Sequence, residues 1–281
     1  CSEIAEHISG PSSGPAKLAF VGGFGFDERP PERDPASPWS GWGPGTLWLP
    51  RVVIRRSAEG CEALVTATAD ELDAWTERVR SLEEARRPLD PPPPRAGQHT
   101  LNTCGEQGDW TARVSALVDA MVSPGAPFRK VVLARAQQLE AAPGHRFDAL
   151  ATAWHLRDQQ PGCTTFAWCA PNGAAFVGAT PELLCRVTGG RLETVALAGT
   201  APRGRFPAED LALSQALIAA SKERHEHRLV VDGIVEGLTT LGAEVEVSDV
   251  PRVRQLQDVQ HLETTITGTL PDDGGLLDAV M

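Results

Sequence analysis

Residues 164–198 read TTFAWCAPNGAAFVGATPELLCRVTGGRLETVALA. Two glycine-bearing pairs, Asn172-Gly173 and Gly189-Gly190, interrupt apolar runs. A two-residue hairpin turn needs positive φ, which Asn and Gly tolerate, so each pair predicts a tight turn between antiparallel strands. The strands expected on this basis are 164–170, 174–178, 183–187 and 192–198. Downstream, 208–219 and 222–238 carry helical spacing, with Ser221 available as an N-cap. Upstream, Phe147, Leu150, Ala151 and Trp154 mark another helix, and 130–139 (KVVLARAQQL) reads as a strand. Trp110, Val114, Leu117, Val118 and Met121 predict a further helix. Helices beside a large antiparallel sheet define an α+β class in which the layers share one core.

Toward the N-terminus, 17–21 is expected to be a strand running into Gly22-Gly23-Phe24-Gly25-Phe26-Asp27. The glycine spacing is neither that of a dinucleotide fingerprint nor that of a P-loop, so close backbone packing is the better reading. Residues 30–50, with Trp39, Trp42 and Trp48, read as an irregular wrap, and 51–56 as a strand. Leu72, Trp75, Val79 and Leu82 share one face of a helix over 70–86. Pro88 and the prolines at 91–94 cannot continue a helix or donate to a ladder, which predicts a solvent-exposed connector over 87–103. The expected organisation is an N-terminal half, 1–104, and a core, 105–281, interleaved as one domain.

The 281 residues carry 26 Lys and Arg against 37 Asp and Glu, a formal charge of −11 without a basic block, which argues against nucleic acid as partner. With 41% hydrophobic residues, the chain is expected to fold rather than stay disordered. No apolar run approaches the roughly 20 residues of a membrane helix, and the N-terminus lacks the order of a signal peptide, so no membrane partner and a cytoplasmic location are expected. Six cysteines contain no CxxC pair and read as reduced thiols. Cys1 in the first position and an apolar run reaching Met281 predict that the chain is part of a longer one.

Four clusters interrupt segments that otherwise look buried. Lys130 opens the apolar run Val131-Val132-Leu133-Ala134; it is either a strand-end lysine reaching water or a desolvated base. Glu182, in ATPELL, is either a solvated turn residue or, enclosed by Leu183 and Leu184, an acid kept protonated by burial. Residues 197–204, LAGTAPRG, form either a strand exit or a carboxylate seat of backbone N–H groups, with Thr200 and Arg203 adding donors. Glu223 and Glu226 are three residues apart on a helix of apolar residues. They share a face and repel unless they reach water or a cation, and hard oxygen ligands suggest Mg²⁺. His225-Glu226-His227 is not a zinc signature, because residues two apart point to opposite faces.

Taken together, KVVLAR (130–135), FVGATPELL (176–184), LETVALAGTAPRG (192–204), SKERHEHRLVVD (221–232) and VQHLETTITG (259–268) resemble, in this order, the chorismate-binding enzymes of menaquinone, siderophore and tryptophan synthesis. GGFGFD also looks like their N-terminal half. The resemblance implies their α+β fold, shared with anthranilate synthase component I, in which large antiparallel sheets and helices form a layered sandwich. Within that family, members that add water carry lysine at the position of Lys130, whereas members that add ammonia carry glutamine. A nucleophilic lysine of the aminodeoxychorismate branch would stand at Ala198. The resemblance therefore implies isochorismate synthase, with salicylate synthase or a non-catalytic fragment or pseudoenzyme as alternatives, and no amidotransferase subunit.

The roles implied are Lys130 as base and Glu182 as acid. Ala198, Gly199, Thr200 and His261 would meet the chorismate substrate, and Glu226, helped by Glu223, would hold Mg²⁺. The family's sites also use a later segment, which supplies another metal carboxylate and an arginine for the enolpyruvyl carboxylate.

Overall fold

The computed structural model describes residues 20–25, 39, 41–42, 45–58, 60–84, 99–103, 109–272 and 274–280. The fold is α+β, built of antiparallel sheets and helices. Its contacts divide the chain into two units, 1–90 with 169–175, and 91–168 with 176–281.

In the first unit, β1 (Val21–Phe24) pairs antiparallel with β2 (Gly45–Trp48), and β3 (Val52–Arg56) with β4 (Cys61–Val65), followed by helix α1 (Leu72–Glu84). The glycines of β1 thus lie in a strand, and a Cβ on Gly22 would meet the Thr46 carbonyl at 2.3 Å. This agrees with the close-packing reading. Within the expected wrap, Gly45–Trp48 is a ladder strand. Most of that wrap, the start of the strand expected at 17–21 and residues 87–98 lie outside the described residues.

In the second unit, β5 (His99–Thr103) pairs with β6 (Gln137–Ala141) on either side of helix α2 (Asp109–Val122). The last five residues expected in the connector are therefore a strand: once past the prolines, His99 to Thr103 regain their N–H donors. Helix α3 (Ala149–Gln159) starts at Asp148, whose carboxylate accepts the Leu150 and Ala151 N–H groups at 3.0 Å each. Strands β7 (Thr164–Cys169) and β8 (Ala175–Thr180) form the first expected hairpin.

The site is carried by a five-stranded sheet made of β9 (Arg186–Thr188), β10 (Arg191–Pro202), β11 (Glu244–Val247), β12 (Arg252–Gln255) and β13 (Val259–Thr269). Its order is β11-β13-β10-β9, with β12 also on β13. Gly189 and Gly190 turn β9 into β10 with φ of +57° and +77°, as the hairpin signal requires. Helices α4 (Pro207–Ala219) and α5 (Ser221–Thr240) follow β10, and α6 (Leu276–Val280) follows β13.

The core lies where α5 packs against β10 and β13. Leu192 and Ala196 of β10, Ile266 of β13, and Val231 and Leu238 of α5 are buried together with Ala243 and Leu270.

Three local expectations are corrected. Of the predicted strand 130–139 only 137–139 enters a ladder, within β6; 130–136 runs without strand pairing, and Val132 is 80% exposed. β10 continues to Pro202 instead of leaving the sheet after Ala198, because β13 supplies partners as far as Val259. Ser221 is the first residue of α5 rather than its cap; Ala220 is the cap and gives no side-chain bond.

Candidate active site

The site begins with an irregularity in the longest ladder. β10 and β13 run in register from Arg191 opposite Thr269 to Ala198 opposite Leu262; Gly199 then bulges out, and pairing resumes with Thr200 opposite His261. Gly199 has φ +76°, and a Cβ there would lie 3.2 Å from the Glu223 carbonyl oxygen and 3.4 Å from a Leu262 methyl. Glycine is demanded both by the backbone angle and by the close approach of α5. The bulge aims the Thr200 N–H at Glu223, whose carboxylate accepts it at 3.2 Å. The Thr200 hydroxyl lies 3.1 Å from Nδ1 of His261. Glu223, which shares a face of α5 with Glu226, is thereby brought against Gly199 and Thr200.

Lys130 reaches the same place from the unpaired segment after α2, with Nζ 3.6 Å from a Glu226 carboxylate oxygen. Its charged neighbour is thus a carboxylate, not the cation that a like-charge activation would require. Glu182 is set by a local turn in which its N–H donates to the Thr180 hydroxyl at 3.3 Å, while the Thr194 hydroxyl of β10 donates to the Leu184 carbonyl at 2.7 Å. Burial pushes the Glu182 carboxyl above its ordinary value, and this outweighs the Leu197 backbone hydrogen bond and the nearby charges of His261 and Lys130. Leu184, expected to help enclose it, is 75% exposed. Its side chain leaves the site while its carbonyl is tied to β10. Ala198 is buried on β10, beside the buried His227 of α5, whose Nε2 lies 2.7 Å from the Thr264 hydroxyl.

Arg203 does not join this group. Its guanidinium makes a two-point pair with Asp210 in the first turn of α4, at 2.8 Å for each bond, and also donates to the Leu256 carbonyl. The Gly204 N–H adds a third bond to the same carboxylate, at 2.8 Å. Arg203 therefore locks the β10–α4 connection, and the expectation that it offers a donor to a ligand is corrected.

The guanidinium and the Gly204 N–H hold the Asp210 carboxyl down at about 2, from an ordinary 3.8. A depressed carboxyl stabilises the fold above its unfolded pKa, and that contribution disappears as pH falls through the folded value. The difference in unfolding midpoint between wild type and Asp210→Asn is accordingly expected to shrink as pH falls from 3.8 to about 2. A difference that stays constant over that window would contradict the assignment.

Sequence reasoning missed Glu263, which is 1% exposed in β13 and paired with Arg252 and with Arg254, the latter at 2.9 Å. Burial raises its carboxyl, yet the two guanidinium groups prevail and hold it below the ordinary value. Arg254 also donates to the Gly162 carbonyl at 3.0 Å, tying β12 to the turn before β7. The signal was in the sequence, as alternating arginines at 252 and 254, but only strand pairing puts Arg252 opposite Glu263 and Arg254 opposite His261, from where its guanidinium reaches Glu263.

The donor set offers two hard carboxylates. Among the described residues no cluster of three or more His, Cys, Asp or Glu side chains is assembled. Mg²⁺ commonly takes one or two protein carboxylates and fills its shell with water and substrate oxygens. Glu223 and Glu226 fit that pattern; Zn²⁺, which prefers three or four nitrogen or sulfur ligands, they do not.

A bulged strand pair, an apposed helix with two carboxylates, a lysine paired with one of them and a glutamic acid raised by burial make up the candidate site. Residues 2–281 match the family of chorismate binding enzymes. The salicylate biosynthesis isochorismate synthase of Pseudomonas aeruginosa is 36% identical over 270 residues, covering 94% of this chain and 55% of its own length. The solved structure of MenF, the menaquinone-specific isochorismate synthase of Escherichia coli, is similar with a TM-score of 0.69 and 26% identity over 84% of this chain and 54% of its own. Anthranilate synthase component I from Streptococcus pneumoniae, at 19% identity and a TM-score of 0.59 over 85% of this chain and 53% of its own, shares the fold. The chain belongs to the chorismate binding enzymes. It spans about half the length of these relatives.

Proposed function

We propose that this chain carries the site of an isochorismate synthase, which converts chorismate to isochorismate by adding water at C2 and expelling the C4 hydroxyl. The observation that supports this most is that Lys130 and His261 both lie close enough to Glu182 to act on its charge, His261 sitting beside the Gly199 bulge, with Glu182 held toward its protonated form by burial. Lys130 takes a proton from the attacking water; the oxygen bonds to C2 and the ring double bonds shift. The C4–oxygen bond breaks as Glu182 delivers its proton, so that water leaves. One water enters and one departs, and the net change is an isomerisation.

The Gly199–Thr200 backbone receives the ring carboxylate. In its support, the Thr200 N–H already grips a carboxylate, that of Glu223. His261, oriented by the Thr200 hydroxyl, faces the ring or the departing hydroxyl. Glu226 and Glu223 would hold Mg²⁺, which when bound supplies positive charge for a dianionic substrate in a protein of charge −11. Solvent water is the nucleophile, so no amidotransferase subunit is required. Among the described residues no helix is long and apolar enough to cross a membrane.

The test is to incubate the complete gene product with chorismate and Mg²⁺ and resolve the products. Isochorismate is expected; salicylate with pyruvate would move the assignment to salicylate synthase, and anthranilate formed from ammonia would overturn it. Glu226→Gln is expected to weaken cation dependence, with excess Mg²⁺ partly restoring turnover by mass action. Full activity in EDTA would remove the metal from the account.

A further inference from the structure

Helix α5 meets the β10–β13 ladder through two polar ties one helical turn apart. The first is the Glu223 carboxylate on the Thr200 N–H, at 3.2 Å. The second is Nε2 of His227 against the Thr264 hydroxyl, at 2.7 Å, with both side chains buried at 4% exposure. Glu223 and His227, four residues apart, project from one helix face, and Glu226 precedes His227 on the same turn of the helix. Between helix and strand at the first tie stands Gly199, whose missing Cβ lets the backbone at Glu223 come close. A cation that draws the Glu223 carboxylate from Thr200, or a substrate carboxylate that takes its place, would break this first tie. The second tie survives that exchange.

We propose that His227, through Thr264, is the positioning residue that holds Glu223 and Glu226 at a fixed height and rotation over the β10 bulge. This rests on the reading of Glu226 and Glu223 as cation ligands. Thr264 is three residues beyond His261 on β13, so the same bond also fixes the helix relative to the strand that carries the histidine. The indirect partners of metal ligands characteristically account for 10- to 100-fold in metal affinity, roughly the scale expected here.

The experiment titrates Mg²⁺ alone into the complete gene product by calorimetry, with thermal unfolding recorded in parallel. Thr264→Val removes the hydroxyl with little change of volume, and His227→Leu removes the ring nitrogens. Each is expected to weaken Mg²⁺ binding by about 10-fold or more. The double variant is expected to bind no more weakly than the worse single one, because both break one bond. Thr264→Ser, which keeps the hydroxyl, is expected to restore binding to within about threefold of wild type. Variants that melt earlier but bind Mg²⁺ as wild type does would overturn the proposal and leave a purely structural hydrogen bond. If His227→Leu fails to fold, Thr264→Val and Thr264→Ser decide alone. Wild type binding Mg²⁺ no better than Glu226→Gln would overturn the ligand reading and the proposal with it.

Discussion

Lys130→Gln in the complete gene product is expected to cut isochorismate formation by roughly 10²-fold or more, the scale on which a general base contributes. Glutamine retains a hydrogen-bonding end of similar reach but cannot accept a proton from water at neutral pH. The loss should fall on kcat, since the interaction removed matters in the transition state and little in the ground state. The substitution also leaves Glu226 without its partner at 3.6 Å. That pair is partly exposed, so its contribution to stability is small and the fold should persist. Near-normal turnover by a folded Lys130→Gln variant would remove Lys130 from the chemistry.

Glu182→Gln is the second large effect. The amide keeps the size of the side chain and the N–H bond to Thr180, which is made by the backbone, but it has no acidic proton to give. Turnover should collapse, by roughly 10²- to 10⁴-fold, while KM changes little. The pH dependence carries a definite sign. Burial raises this carboxyl, so the folded protein holds the proton to a higher pH than the unfolded chain does. The acid form, and with it the wild-type rate, declines as pH rises through that raised value, and the same group's contribution to stability is present below its unfolded pKa and lost over the same rise. The glutamine variant should lack this limb in both profiles. A variant with intact kcat and a raised KM would instead make Glu182 a binding residue.

How far the sequence discloses these features depends on which force sets each one. The turns at Gly173 and Gly189-Gly190 were legible because positive φ is a property of the residue itself. The pairing of Glu223 with Glu226 followed from helix periodicity. β13 was legible as a motif and not as a strand: it is buried on both faces over much of its length, so polar and apolar residues do not alternate. The end of β10 was misplaced because Ala-Gly-Thr-Ala-Pro has the composition of a loop, whereas the distant segment Val259–His261 supplies its partners.

Arg203 illustrates the same limit at the site. Next to a Gly-rich run it looks like a ligand donor, and only the first turn of α4, which brings Asp210 to it, shows that its donors are committed. The apolar run after Lys130 invited a strand reading that ladder pairing does not support, though the lysine at its head still reaches Glu226.

Solvent water, activated at Lys130, is expected to become the new hydroxyl of the product. Turnover of chorismate by the complete gene product in H₂¹⁸O, with the isochorismate examined by mass spectrometry and ¹³C NMR, tests it most directly. One ¹⁸O per product molecule is expected, located on C2, with the original C4 oxygen released to solvent. Isochorismate carrying no solvent oxygen would mean internal transfer of the hydroxyl and would contradict the roles given to Lys130 and Glu182.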